Sequence, residues 1–92
     1  MIESFRDSDT EALFRRRRVR RWISIERAAL RKLEQLDLAM NIGDMRAPPG
    51  NRLERLHGDR EGQWSVRIND QWRVCFRFER GNALDVEIVD YH

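Results

Sequence analysis

Hydrophobic and polar residues repeat with two different periods along this chain, and the change falls near its middle. In the first half Ala29, Leu33, Leu36 and Met40 recur at spacings of four, three and four, with Ile25 and Leu30 beside the stripe. That spacing predicts a helix with one buried face. Ser24 stands at its N-cap, Glu26 suits its first turn, and Gly43 closes it. Upstream, Asp9 occupies an N-cap position before Glu11, Ala12, Leu13 and Phe14, which predicts a brief first helix. Ile2 to Phe5 reads as a short strand.

After the break Ala47-Pro48-Pro49-Gly50-Asn51 the period becomes two. Leu53 and Leu56 belong to a short strand, followed by the loop His57 to Gly62. Then Trp64, Val66 and Ile68, next Trp72, Val74, Phe76 and Phe78, and last Leu84, Val86 and Ile88 alternate with polar residues. These are half-buried antiparallel strands joined by hairpins. Keeping the apolar faces together sets the register. A three-residue loop, Asn69 to Gln71, pairs Ile68 with Trp72 and Val66 with Val74, so Arg67 lies opposite Arg73. A loop around Arg80-Gly81-Asn82 pairs Phe78 with Leu84 and sets Arg73 against Val89. The second helix covers the apolar face, and the other face displays Arg67, Arg73, Arg77, Val89 and Tyr91. The fold class is α+β: two N-terminal helices on a small antiparallel sheet.

Composition narrows the setting. Ninety-two residues, 40% hydrophobic and 37% charged, predict one globular domain over residues 1–92. No apolar run approaches the roughly 18 residues of a membrane span. The first nine residues carry acids where a secretory signal carries bases and an apolar stretch, so the expected location is the cytoplasm. One cysteine, Cys75, excludes an internal disulfide and a multi-thiolate zinc site. Net charge is +2, but seventeen of the eighteen bases are Arg, with Lys32 the exception. Arginine's rigid fork suits phosphate, bases and carboxylate. GC-rich codon bias gives the same composition, and both readings stay open.

Two arginines directly opposite each other repel unless an anion relieves them. Glu87, diagonal to Arg73, and Asp85, opposite Arg77, offer neutralisation, whereas Arg67 has no acid beside it in this register. That asymmetry favours an anion site at Arg67 and Arg73. Asp90-Tyr91-His92 places an acid, an aromatic ring and an imidazole at the end of the last strand. Imidazole is the usual proton carrier near neutral pH, a carboxylate can fix its tautomer, and tyrosine can stack on a base. Strict alternation sends Tyr91 to the face opposite Asp90 and His92, so the strand must curl for all three to meet. His57 is a lone loop histidine. The tract Arg15 to Arg21, with Arg16, Arg17 and Arg18 at its centre, is either a solvated charge run or a contact for a phosphate backbone. No phosphate-cradling glycine loop and no metal-ligand spacing is present, and neither cofactor nor metal is expected.

Taken together, the opening Met-Ile-x-Ser-Phe, the stretch Leu56 to Ser65, the turn Asn69-Asp70-Gln71-Trp72-Arg73 and the closing Val89-Asp90-Tyr91-His92 resemble the HigB-type toxins of the RelE/ParE superfamily of bacterial toxin–antitoxin modules. The resemblance covers essentially the whole chain. It implies a short helical hairpin on a curved antiparallel sheet and a ribosome-dependent mRNA endonuclease that inhibits translation. It also implies a HigA-type helix-turn-helix antitoxin as partner, with operator DNA reached only through that antitoxin, and no membrane. Family chemistry needs no metal: the ribose 2′-hydroxyl attacks the adjacent phosphate. By motif, Asp90, Tyr91, His92 and Arg73 carry over as catalytic residues, while Arg67 stands as an anion contact on the register alone. The chain departs from the pattern at Glu54, where some HigB toxins have a catalytic histidine. Glu54 can act as a base but cannot supply a cation, and His57 is the residue that can stand in. A toxin that binds a protein such as DNA gyrase without cutting RNA is the alternative, and a non-catalytic binding remnant is a third reading.

Overall fold

A computed structural model describes residues 1–90, and its elements follow from where the chain can bury apolar surface. Helix α1, Ser8–Phe14, is capped by Asp7, whose carboxylate accepts from Thr10 N at 3.1 Å and Thr10 Oγ1 at 2.6 Å. The helix therefore starts before the predicted cap Asp9, which sits in its first turn. Helix α2, Glu26–Leu38, continues directly from a 3-10 turn at Arg20–Ile25, so Ser24 does not cap it. Ile25, Ala29, Leu33 and Leu36 are buried, as the spacing predicts. The stripe stops there. Met40 is 81% exposed, and Gly43 lies in a later turn, Ile42–Arg46. Asp44 is the reason: its carboxylate accepts from Met40 N (2.8 Å) and Asn41 N (3.2 Å), amides that a longer helix would need.

Four strands, β1 (Glu54–Arg55), β2 (Trp64–Arg67), β3 (Trp72–Glu79) and β4 (Asn82–Asp90), form an antiparallel sheet in chain order. Residues 2–5 make only isolated parallel bridges to β4, Ile2 to Ala83 and Phe5 to Val86. The β2–β3 register matches expectation, with Val66 opposite Val74 and Arg67 opposite Arg73. Asn69 Oδ1 shapes that hairpin by accepting from Gln71 N and Trp72 N.

The β3–β4 hairpin differs near its turn. Arg80 and Gly81 both take positive φ, 53° and 80°, and close a two-residue turn of the hand that suits strand twist. Phe78 then pairs with Ala83 rather than Leu84. An irregularity beside Asp85, itself at φ 53°, restores the register, so Arg73 still faces Val89. Ala83 consequently takes the buried position expected for Leu84.

The core lies between α2 and the even-numbered face of β2 and β3, where Val66, Ile68, Val74 and Phe76 meet Val86 and Ile88 of β4. Trp22 is fully buried there, edge-on to Trp72 with ring centroids 6.0 Å apart. Thr10 Oγ1 accepts from Ile88 N at 3.1 Å, which fastens α1 to β4.

Candidate functional site

The face of the sheet turned away from α2 carries Ser65 and Arg67 on β2, Arg73 and Cys75 on β3, and Glu87 and Val89 on β4. It is not an open display of arginines. Arg73 is only 5% exposed. Its Nε donates to Ser65 Oγ at 2.9 Å, its Nη2 to Arg52 O at 2.7 Å, and Glu54 Oε1 lies 3.8 Å from Nη1. The sheet face is covered because the chain before β1 folds across it: Arg52 takes φ 45° and turns its carbonyl onto the guanidinium. A buried charge held this way keeps its cost of desolvation in check through hydrogen bonds.

Arg67 does have an acid beside it, contrary to the sequence reading. Asp70, in the hairpin loop three residues on, pairs with it. Alternation along strands does not reveal a loop side chain folding back onto its own hairpin. The Asp70 side chain is fully exposed, so the pair contributes little and exchanges readily for another anion. Glu87 does not meet Arg73 either. It accepts from Arg60 Nη1 at 2.7 Å, and that bond raises the Arg60 pKa. The pairing of Arg77 with Asp85, at 3.5 Å, is the one expected.

Two adjoining hollows result. Arg52, Glu54, Arg67, Asn69, Asp70 and Arg73 line a cavity of about 210 Å³. Glu54 also borders a cleft of about 420 Å³, with Arg55, Leu56, His57, Arg60, Cys75, Val89 and Asp90 around it. The structure thus brings His57, Glu54 and Asp90 to one cleft, next to the paired arginines. His57 reaches it because Gly58, at φ 66°, bends the chain into the turn Gly58–Arg60. Asp90 accepts from Gln71 Nε2 at 3.1 Å. Tyr91 and His92 lie outside the described residues. Cys75, at 1% exposure, forms part of the cleft wall; burial pushes its thiol pKa up, against the pull of Arg60 and Arg73.

Arg16, Arg17 and Arg18 do not join these hollows. Their tract lies between the helices that pack on the opposite face, and its charges are largely paired: Arg15 with Glu11, Arg16 with Glu34, Arg18 with Glu26 and Arg21 with Asp9. Sequence reasoning assigned no role to Arg52, Arg60 or Ser65. Ser65 was findable, since the correct β2–β3 register already places a small polar residue diagonal to Arg73. Arg52 was not, because its part rests on a backbone carbonyl in a left-handed turn.

No helix among the described residues is long and apolar enough to cross a membrane. In solved structures the fold is matched by a toxin–antitoxin complex, a heterotetramer of YoeB and YefM from Staphylococcus aureus. The TM-score is 0.62 at 14% identity, over 100% of this chain and 98% of that one. Among curated proteins, Toxin HigB-1 of Vibrio cholerae is 50% identical over 62 residues, 67% of this chain and 65% of its own length. Endoribonuclease HigB of Proteus vulgaris is 38% identical over 61 residues, 66% of this chain and 65% of its own. The matched segment thus spans slightly less than two thirds of either relative. The family model described as the RelE-like toxin of type II toxin–antitoxin system HigB matches residues 3–92. The chain therefore belongs to the HigB-like family of RelE-like toxins.

Proposed function

We propose that this protein is a ribosome-dependent mRNA endonuclease, the toxin of a type II module, held inactive in the cytoplasm by a HigA-type helix-turn-helix antitoxin. The observation that carries the reading is the juxtaposition of Arg67 and Arg73 in one cavity with Glu54, beside a cleft that holds His57 and Asp90. The name of the Proteus relative, an endoribonuclease, supports the same reaction class.

In the proposed reaction a base removes the proton of a ribose 2′-hydroxyl. The freed oxygen forms a bond to the adjacent phosphorus, and the bond from phosphorus to the 5′-oxygen breaks. An acid returns a proton to that oxygen, leaving a cyclic phosphate and a 5′-hydroxyl, with no metal required. Arg67 and Arg73 stabilise the charge that builds on the phosphoryl oxygens. Arg73 is held in place by Ser65 and Arg52, so it needs no rearrangement at the moment of reaction. Phosphate displaces Asp70 from Arg67. Glu54 and His57 are the proton carriers at the β1 side of the cleft, while Asp90, Tyr91 and His92 carry over by motif to protonation and stacking on the nucleotide.

Mapping transcript 5′ ends after induction tests the reading. New ends within coding regions are expected with the wild-type chain and not with His57→Ala or His92→Ala, with circular dichroism showing both variants folded. Growth inhibition without new ends would replace the nuclease with a toxin that binds a protein target.

A further inference from the structure

The strand β1 separates the two hollows of the candidate site from a third. This groove, of about 320 Å³, is lined by Arg46, Pro49, Arg52, Leu53 and Trp64, with no carboxylate among its lining residues. It adjoins the site through two residues. Arg52 borders both the groove and the cavity of Arg67 and Arg73. Arg55 borders the cleft of His57 and reaches over the Trp64 ring, with its guanidinium carbon 5.6 Å from the ring centroid.

The electrostatics set this groove apart from the adjoining cavity and cleft. Arg46, Arg52 and Arg55 form no ion pair among the described residues, whereas Arg60, Arg67, Arg73 and Arg77 each have a carboxylate within 4.0 Å. Trp64 is half-buried, so one part of the indole packs on the core and the rest lines the groove. Unpaired arginines around an aromatic ring are the elements of a single-strand binding platform: backbone phosphates on the guanidinia and a base against the indole. An acidic polypeptide would use the charges but not the ring. β1 is also the free edge of the sheet, so a strand leaving the cleft crosses only two residues, Glu54 and Arg55, before it meets Trp64.

We propose that Arg46, Arg52, Arg55 and Trp64 form a second RNA subsite, which holds a nucleotide flanking the one placed at Arg67 and Arg73. The proposal deepens the nuclease reading and rests on it for the direction of the strand, but binding at the groove is measurable without any cleavage.

The probe is a single-stranded RNA hexamer titrated into the intact protein, with tryptophan fluorescence and a salt series as readouts. Trp22 is buried, whereas Trp72 is partly buried like Trp64. The contribution of Trp64 is therefore the part of the RNA quenching that disappears in Trp64→Phe, a substitution that keeps an aromatic ring against the core and should lower the quenching clearly. Arg46→Gln with Arg55→Gln should weaken hexamer binding severalfold and lower the salt slope by about 0.7 per lost contact. A dinucleotide, too short to span both sites, should lose less. Equal quenching in wild type and Trp64→Phe, with an unchanged salt slope in the double variant, would overturn the subsite. So would polyglutamate, a model acidic polypeptide, binding at the groove while the hexamer fails to bind. Hexamer binding at the groove without cleavage on ribosomes would instead leave the subsite standing and remove the nuclease.

Discussion

Cys75 shows how much a single side chain reports about the covering of the site. Its position on β3 alternates with core residues, so it faces the side of the sheet that would ordinarily meet solvent, yet it is 1% exposed. The loop carrying Arg60 and the carboxylate of Glu87 close over it. Burial raises the thiol pKa, opposed by Arg60 and Arg73, and the sign of the consequence is definite. Below the ordinary thiol range both folded and unfolded chains keep the proton, and stability does not depend on it. As pH rises through that range the unfolded chain releases a proton that the folded chain retains, so stability falls. The accompanying expectation is alkylation by iodoacetamide roughly tenfold or more slower in the folded protein than in urea at the same pH. Mass spectrometry gives both rates. Equal rates would mean that the loop does not cover Cys75. The sequence placed this residue on the correct face, but the periodicity of one strand carries no information about what a distant loop lays on top of it.

At the scale of elements, the segment between α2 and β1 holds the site together, although by composition it is only a break. Pro48, Pro49 and Gly50 mark it as a turn, and that much is legible. Hidden among them is Asn51, wholly buried, whose Nδ2 donates to Met45 O at 3.0 Å, Ala47 O at 3.1 Å and Gln35 Oε1 at 3.1 Å, while Oδ1 accepts from Lys32. These bonds fasten the segment to α2 and fix the residue after it, Arg52, whose carbonyl orients Arg73. Asn51→Ala removes the amide and leaves Met45 O, a buried acceptor, without that donor, while Ala47 O keeps Gln35 Nε2, at an expected cost of about 1–3 kcal/mol. Urea denaturation measures it, and a loss below about 0.5 kcal/mol would show that the segment stands without this network. The displaced register of β4 has a similar lesson. Leu84, Val86 and Ile88 keep perfect alternation, so nothing in the hydrophobic pattern exposes the irregularity. Only Asp85, a residue type that tolerates positive φ, gives a local cue. The β2–β3 hairpin was legible because one register alone keeps both apolar faces together and its turn residues agree with it.

The whole molecule carries two clusters of arginine, the tract between the helices and the groove beside β1, and they differ in how far carboxylates oppose them. Six arginines lie in the tract from Arg15 to Arg21, but four carboxylates, Asp9, Glu11, Glu26 and Glu34, stand against them. Only Arg17 and Arg20 of that tract lack a carboxylate partner among the described residues. The groove of Arg46, Arg52 and Arg55 has no such opposition, and it adjoins the cavity of Arg67 and Arg73. Counting arginines in the sequence does not show which of them are neutralised, because a carboxylate near in space can be distant in the chain: Glu34 is eighteen residues from Arg16. If field strength governs docking on ribosomal RNA, replacing Arg16, Arg17 and Arg18 with Gln removes one effective contact, that of Arg17. The salt slope of ribosome binding should then fall by about 0.7–0.9, and stability by less than about 1 kcal/mol, since the lost pairs are exposed. The Arg46→Gln and Arg55→Gln pair should lower the slope by about twice as much. A salt titration of ribosome affinity on the two variants ranks the surfaces directly. A larger drop from the tract than from the groove would assign docking to the tract, with its exposed carboxylates displaced by phosphate.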